Sequence, residues 1–432
     1  MIRRLVFLCV CAGVALVAPS RAYAQRVPLS ELLVNMIQAE IRLEPPPPGF
    51  QSHEAHFLPG LDQELAPFLF NQQLVAQLAT FPTGTPSGGF SFNFDPATGA
   101  FQRATNSFGP SFADRALTNG RGKFTLGANF QYSKYTSFEG ADLQDGEVKF
   151  YLTHQDIPGT LFFEGDVVEA DLRLDLSSST TTIFANYGVT NAFDIAVSLP
   201  ILHVSMDSTI DARILRLATG QTPIHTFAGG SDTATFHESG AATGIGDILV
   251  RGKYRFLSAP GGGLAAGVDL RLPTGDAEEL LGTGATGAAF SLIGSTSSGV
   301  FAPHFNVSYS ASGDSDVVNI ANEFTYKAGT EFVASPAVTL SVDFLGRTLL
   351  DAGRLELTTT THTFQNAAGV PGSTAFDEYV ARDGSLNISN LAVGGKFNVG
   401  GNLLISANAL IALSNSGVTA RITPVFGFDY TF

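Results

Sequence analysis

From about Arg121 onward, apolar side chains recur at every second position, segment after segment. Phe124, Leu126, Ala128, Phe130 and Tyr132 alternate with Lys123, Thr125, Asn129 and Gln131. Val168, Ala170, Leu172, Leu174 and Leu176 alternate with Glu169, Asp171, Arg173 and Asp175. A period of two is a strand with one apolar and one polar face. In a soluble sandwich the apolar face meets a second sheet, and in an outer-membrane barrel it meets lipid while the polar face lines the lumen. Alternation alone fits both.

The connections separate them. The pattern predicts strands over 121–136, 166–189, 192–206, 244–257, 262–273, 285–295, 299–311, 318–332, 337–349, 387–398, 402–413 and 418–432. Long connections precede the even-numbered strands, at 137–165, 207–243, 274–284, 312–317, 350–386 and 414–417. The others are tight: Thr190-Asn191, Ser258 to Gly261, Thr296 to Ser298, Val333 to Pro336 and Val399 to Gly401. Long loops on one rim and short turns on the other are the habit of outer-membrane barrels, with the turns periplasmic. The expectation is an all-β antiparallel barrel of about twelve strands, with fourteen as the alternative. Segment 166–189 is overlong for a span of roughly 9–11 residues, and its apolar phase slips across Ser177 to Thr182. A bulge would explain the slip, and an extension above the membrane the length.

In the last segment Ile422, Pro424, Phe426, Phe428, Tyr430 and Phe432 share one face. This resembles the C-terminal assembly signal of outer-membrane barrels, with Gly427, Tyr430 and Phe432 in its glycine and aromatic places and Val425 where a polar residue is usual. The resemblance implies the barrel assembly machinery as a partner, alongside outer-membrane lipid and lipopolysaccharide.

The other end agrees. Arg3 and Arg4 precede an apolar run from Leu5 to Ala18, and Ala22-Tyr23-Ala24 is a small-x-small cleavage site. That pattern is a signal peptide over 1–24, with the mature chain beginning at Gln25. Cys9 and Cys11 fall inside it, so the mature chain is expected to have neither disulfides nor thiolate metal sites. Losing Arg3, Arg4 and Arg21 takes the formal charge from −15 to −18, which argues against nucleic acid as a partner.

Residues 25–120 differ from the rest and form the expected plug or periplasmic segment before the barrel of 121–432. Ser30 is placed to cap a helix over Glu31 to Leu43, striped by Leu32, Leu33, Met36, Ile37 and Ile41. Pro45 to Pro48 then makes an extended spacer. A second helix reads through Leu65, Phe68, Leu69, Gln72, Val75, Ala76 and Ala79, and a hairpin turns at Asp95 to Gly99.

Several short segments carry a family likeness: Tyr187-Gly188-Val189-Thr190-Asn191, Gly244-Ile245-Gly246-Asp247, Lys253-Tyr254-Arg255 and Leu272-Pro273-Thr274-Gly275-Asp276. Leu281-Gly282-Thr283-Gly284 and Asp343-Phe344-Leu345-Gly346-Arg347 add to it. Over about residues 120–432 the chain resembles the outer-membrane "MetA-pathway of phenol degradation" family. The resemblance implies a transporter-like barrel for hydrophobic or aromatic compounds, distantly similar to fatty-acid channels, and carries no catalytic residue. The Asn-Pro-Ala element typical of fatty-acid channels is absent from the N-terminal region.

Chemistry-bearing motifs are few, and no cofactor is expected. Gly282 to Gly287 matches G-x-G-x-x-G but falls in a surface loop rather than between a buried strand and a helix. His53-Glu54-Ala55-His56 lacks the spacing of two ligands on one helix face. Asp142, Asp145 and Glu147, or Asp314 and Asp316, could hold Ca²⁺, although a solvated acidic loop explains them as well. His203, His225, His237 and His304 are scattered.

The inward positions say more. They predict Lys123, Arg173, Arg251, Lys253, Arg255, Arg271, Lys327, Arg347, Lys396 and Arg421 in the lumen. Facing them are Glu169, Asp171, Asp175, Asp194, Asp247, Asp269, Glu323, Glu331, Asp343 and Asp429. Such charges either pair across strands or form a constriction that selects solutes by charge. The expected function is passive uptake of a small hydrophobic or aromatic solute, with no enzymatic activity. The alternative is a structural, adhesive or enzymatic barrel that transports nothing.

Overall fold

A computed structural model describes residues 27–44, 57–59, 66–82, 84–86, 89–95, 97–154, 165–220, 225–259, 261–317, 319–366 and 368–432. The proposed signal peptide, the proline run and the His53/His56 pair lie outside them.

Twelve antiparallel strands close into a barrel. They are β1 (Phe124–Tyr135), β2 (Val167–Gly188), β3 (Phe193–Leu215), β4 (Ile248–Ala259), β5 (Gly262–Leu272) and β6 (Gly287–Ser295). β7 (Phe301–Ser312), β8 (Glu323–Ser335), β9 (Val338–Leu349), β10 (Leu386–Gly400), β11 (Leu403–Ala412) and β12 (Ile422–Thr431) follow. Each pairs with its neighbour in sequence, and β12 pairs with β1 from Val425↔Gln131 to Thr431↔Thr125, which leaves no open edge.

Outward residues form an apolar belt. On β7 it runs through Phe301, Pro303, Phe305, Val307 and Tyr309, and on β3 through Phe193, Ile195, Val197, Leu199 and Ile201. Both stretches match the roughly 9–11 residues of a tilted membrane strand. Phe124, Tyr187, Tyr430 and Phe432 mark the short-turn rim, and Tyr132, Phe290 and Tyr309 lie outward toward the other. Phe432, 60% exposed, packs on Phe124 and Tyr430 at centroid distances of 5.9 and 4.7 Å.

β2 contains no bulge. Its ladders with β1 and β3 run without a register shift from Tyr187 to Leu176 and from Gly188 to Val167. Even-numbered residues point inward throughout, so the slip of apolar phase is a change of surroundings. Within the membrane Ile183 and Tyr187 face lipid while Thr180, Thr182 and Asn186 face the lumen. Beyond it Leu172, Leu174 and Leu176 face a buried apolar core while Arg173 and Asp175 face water. Glu169, Asp171, Arg173 and Asp175 therefore lie outside the lumen, contrary to expectation. Arg173 pairs with Asp211 and Asp175 with Lys134 on that outer surface. Lys123 and Arg421 leave the list too: Lys123 caps the Phe92 and Phe101 rings at 4.9 and 4.6 Å, and Arg421 is exposed at the long-loop rim.

The same inversion lengthens β3. Beyond Ile201 its outward side chains are His203, Asp207, Asp211 and Arg213, and the inward ones are Val204, Met206, Ile210 and Ile214. This stretch pairs with Thr233–Ile245, a strand inside what the sequence suggested was a loop. Another hairpin, Arg354–Gln365 with Pro371–Arg382, stands in the 350–386 connection.

Described residues between Thr80 and Asn119 run along the inside of the barrel wall. Helical residues 32–40 and a helix over Ala66–Ala79 pack under the long-loop rim in one core with Leu172, Leu174, Met206, Ile210, Phe138 and Phe150. The expected stripe of Leu32, Leu33, Met36, Ile37 and Ile41 is buried there. Ser30 does not cap the first helix: its N–H donates to Glu278 O at 2.9 Å, and its carbonyl accepts from Asn71. The second helix buries Val75 and Ala76 of the expected stripe together with Phe70, Leu74 and Leu78, and leaves Phe68 exposed.

Candidate functional site

From Thr80 the inner chain descends past the wall to a hairpin, Phe92–Asp95 with Ala100–Arg103, beside the Asn191 turn at the short-turn rim. It climbs again through Ser107 and Phe108 to Phe112, then returns through Arg115 and Leu117 to Asn119 and β1. Residues 104–120 carry two charges, Asp114 and Arg115.

Both are met by specific partners. Arg251 Nη1 bonds Asp114 Oδ2 at 2.9 Å, while its Nη2 holds Asp269 Oδ2 at 2.7 Å. Arg251 and Asp269 stand opposite each other in the β4–β5 register. Asn306 brackets Asp114, accepting from its N–H at 2.6 Å and donating to its carbonyl at 2.8 Å. Arg115 Nη1 donates to Ser107 O and its Nη2 to Ser91 Oγ, each at 3.0 Å. One guanidinium thereby ties three passes of the inner chain together.

Several barrel cations bond backbone carbonyls of that chain rather than carboxylates. Lys253 Nζ donates to Leu117 O at 2.7 Å and Arg115 O at 3.2 Å, with Asp194 at 4.0 Å. Lys327 Nζ donates to Phe112 O at 2.9 Å. Arg255 Nη2 instead donates within the barrel, to Asn191 O in the short turn between β2 and β3, at 2.8 Å. Arg347 bridges Thr80 O at 3.0 Å and Glu323 at 2.7 Å. Cross-strand pairing was one of the two expectations; the inner chain takes much of that role because its carbonyls lack a sheet partner.

Glu331, Asp343 and His304 form a buried cluster. His304 Nε2 stands 2.8 Å from Asp343 and Nδ1 3.3 Å from Glu331, and Ser107 Oγ also donates to Glu331. In register, His304 faces Gly329, and Gly329 faces Asp343. The missing side chain lets His304 reach across β8: a Cβ on Gly329 would lie 2.2 Å from Asp343 Oδ1. Lys396 is buried on the wall, and among the described residues it makes no ion pair.

The terminal strand shows the same economy of space. Gly427 points into the lumen between Asn129 and Ser406, where a Cβ would lie 2.1 Å from Asn129 Oδ1. Val425, the departure from the assembly pattern, is buried with Phe112, Leu345, Ala392 and Leu410. An apolar residue stands there because the inner chain presents a phenylalanine.

The lumen is not full. On the long-loop side of the inner chain lies a cavity of about 200 Å³, whose wall includes Arg251, Asp269, Arg271, Glu323, Lys327 and Arg347. A neighbouring space of about 80 Å³ has a mixed wall, with Phe81, Leu202, Leu249 and Leu281 beside Gln131 and Asp247.

The other tempting groups are occupied structurally. Asp142 Oδ1 accepts from the N–H of Gln144 at 2.6 Å, and Glu147 accepts from that of Asp142 at 2.7 Å. Among the described residues no three His, Cys, Asp or Glu side chains are placed to hold a metal ion. Gly282 packs against Gly275, and the glycine motif opens β6 rather than a helix. His225 holds Asp166 at 2.9 Å in the cap, His203 bonds Thr243 at 2.7 Å, and His237 meets Asp207 at 3.3 Å. Burial alone would raise the Asp166 pKa, but bonds from His225, Thr219 and the Ala218 and Thr219 amides bring it below the ordinary carboxylate value.

Sequence comparison decides the family. Residues 165–417 match the model described as "Putative MetA-pathway of phenol degradation". The chain belongs to this family. Its location is the outer membrane. No curated protein matches this family member in sequence. Among solved structures, an outer membrane channel of Pseudomonas putida F1 is similar at 10% identity and TM-score 0.44, over 73% of this chain and 98% of that one. A Pseudomonas aeruginosa FadL homologue follows at 12% identity and TM-score 0.32, over 82% and 97%. The Ralstonia pickettii toluene transporter TbuX matches at 10% identity and TM-score 0.29, over 72% and 90%.

Proposed function

We propose that this protein is a passive outer-membrane channel for small hydrophobic or aromatic compounds, and not an enzyme. The observation that carries this reading is the 200 Å³ cavity left between the barrel wall and the inner chain. A cavity of about 150 Å³ is already enough to hold benzene. Twelve strands enclose less room than the 16–18 of porins, and the inner chain takes part of it, so a wide aqueous pore is not available.

In this reading residues 25–120 are a plug, Arg251 and Lys253 fasten it, and Asp343, Glu331, Arg347 and Lys396 brace the wall around it. Gly427, Tyr430 and Phe432 serve recognition by the barrel assembly machinery, and the outer rim meets lipopolysaccharide. The filled short-turn half of the lumen favours a second reading, a structural barrel that transports nothing.

Uptake of labelled toluene by cells with and without the protein, alongside a sugar of similar size, separates the two. The channel reading expects faster toluene entry and unchanged sugar entry. Equal toluene entry in both strains supports the structural barrel, and faster sugar entry identifies a general porin.

A further inference from the structure

The two cavities meet at Leu249 and Arg271, which line both. Around the larger one, Arg251 is bonded to Asp114 and Asp269, Arg347 to Glu323, and Lys327 to the Phe112 carbonyl. Arg271 has no ion pair or hydrogen bond among the described residues. The strand register explains why: its neighbours across β4 and β6 are Leu249 and Gly287, whereas Arg251 faces Asp269. The carboxylate of Asp247 is engaged by the Gly275 amide at 3.1 Å and by Thr283 at 2.6 Å. With Asp114 counted, four cations and three carboxylates stand about the larger cavity, and Asp247 at the edge of the smaller one balances the charge of the junction. The charge left without a bonded partner among the described residues is the Arg271 guanidinium, which borders the side chains of Phe81, Leu202, Leu249 and Leu281.

We infer that this junction is a binding subsite for a single-ring aromatic carboxylate, held by Arg271 through its carboxylate with the ring toward Leu249, Leu281, Leu202 and Phe81. The solute class rests on the channel reading and narrows it. A guanidinium presents two parallel N–H donors that match a carboxylate, and its attraction for an anion strengthens away from bulk water. Gly287 opposite Arg271 leaves room beside the fork, and the two spaces that meet there, about 200 and 80 Å³, together accommodate one ring. A ring without a charge uses only the apolar half of the site. A cation of the same shape would bring its charge against the Arg271 guanidinium.

Equilibrium dialysis of labelled benzoate against the full-length, detergent-folded protein tests this, with acetate, toluene and anilinium as competitors. Benzoate should bind more tightly than acetate, and anilinium should not displace it. Arg271→Met should weaken benzoate by about tenfold or more, and Arg271→Lys by less. Heat-modifiable gel mobility verifies folding of each variant. Two results would overturn the inference: no benzoate preference in the wild-type protein, or equal affinity in a folded Arg271→Met variant. The channel reading is tested separately by toluene flux through vesicles. Toluene flux with benzoate binding indifferent to Arg271 sinks the subsite alone. Arg271-dependent benzoate binding without toluene flux supports the subsite and refutes the channel.

Discussion

Arg251→Met removes a guanidinium bonded at once to the barrel wall and to the inner chain. Asp114 is buried and would lose its cation while keeping its bond from Thr85, and Asp269 would lose its cross-strand partner. Stripping one partner from a buried ion pair costs about 3–5 kcal/mol, against roughly 1 kcal/mol for each neutral hydrogen bond that remains. The ladders of β4 with β3 and β5 are backbone bonds that the substitution leaves in place. Opening of the 107–119 stretch hydrates Asp114 and relieves that penalty, so the substitution shifts the local opening equilibrium although the bonds from Lys253, Lys327 and Asn306 remain. A shift of that size changes the opening equilibrium by about 10²-fold to a few thousandfold. Ser111→Cys supplies the reporter, because its hydroxyl is buried without a hydrogen-bond partner and the proposed mature chain has no other thiol. Maleimide labelling of that cysteine should be slow in the parent and faster by about two orders of magnitude with Arg251→Met. Labelling rates within about twofold of each other would refute the claim that Arg251 anchors the inner chain.

The closed barrel should resist SDS until boiled and then change gel mobility; identical migration of a verified folded sample before and after boiling would count against closure. Gly329→Ala should lower the urea midpoint by the equivalent of about 1–3 kcal/mol, since its Cβ meets Asp343 at 2.2 Å. Gly313→Ala, whose nearest atom is 3.5 Å away, should leave that midpoint unchanged. In the cap, Asp166 has a folded pKa below its unfolded value, so its contribution is complete above about pH 4 and fades as pH falls through the lowered value. Protection factors of the Ala218 and Thr219 amides, taken relative to intrinsic exchange at each pH, should stay high at pH 5 and fall below pH 4, and Asp166→Asn should remove that dependence.

Strand count and order were legible because every span repeats one physical rule, apolar toward lipid and polar toward the lumen. The rule names only a relative orientation, and it misled wherever the surroundings change sides. Arg173 and Asp175 share the polar pattern of Arg251 and Asp269, yet they face water above the membrane. Whether Leu172 meets lipid or core is decided by the helices that come to lie beside it, and strand periodicity says nothing of those. The wall cations Arg251, Lys253, Arg271 and Arg347 were all legible as inward, but their partners were not. Asp114 and Arg115 were missed although a signal was present: they are the two charged residues in a stretch otherwise of small, hydroxyl and aromatic side chains. Val425, an oddity in the terminal strand, was the sequence's trace of Phe112.

Vesicles reconstituted with the purified protein and loaded with labelled toluene and glucose test the account most directly, because both fluxes are read from one preparation. The account predicts protein-dependent toluene flux above the bilayer background that saturates with concentration, with glucose retained. Glucose escaping with the protein, while toluene flux stays at that of protein-free vesicles, would contradict it.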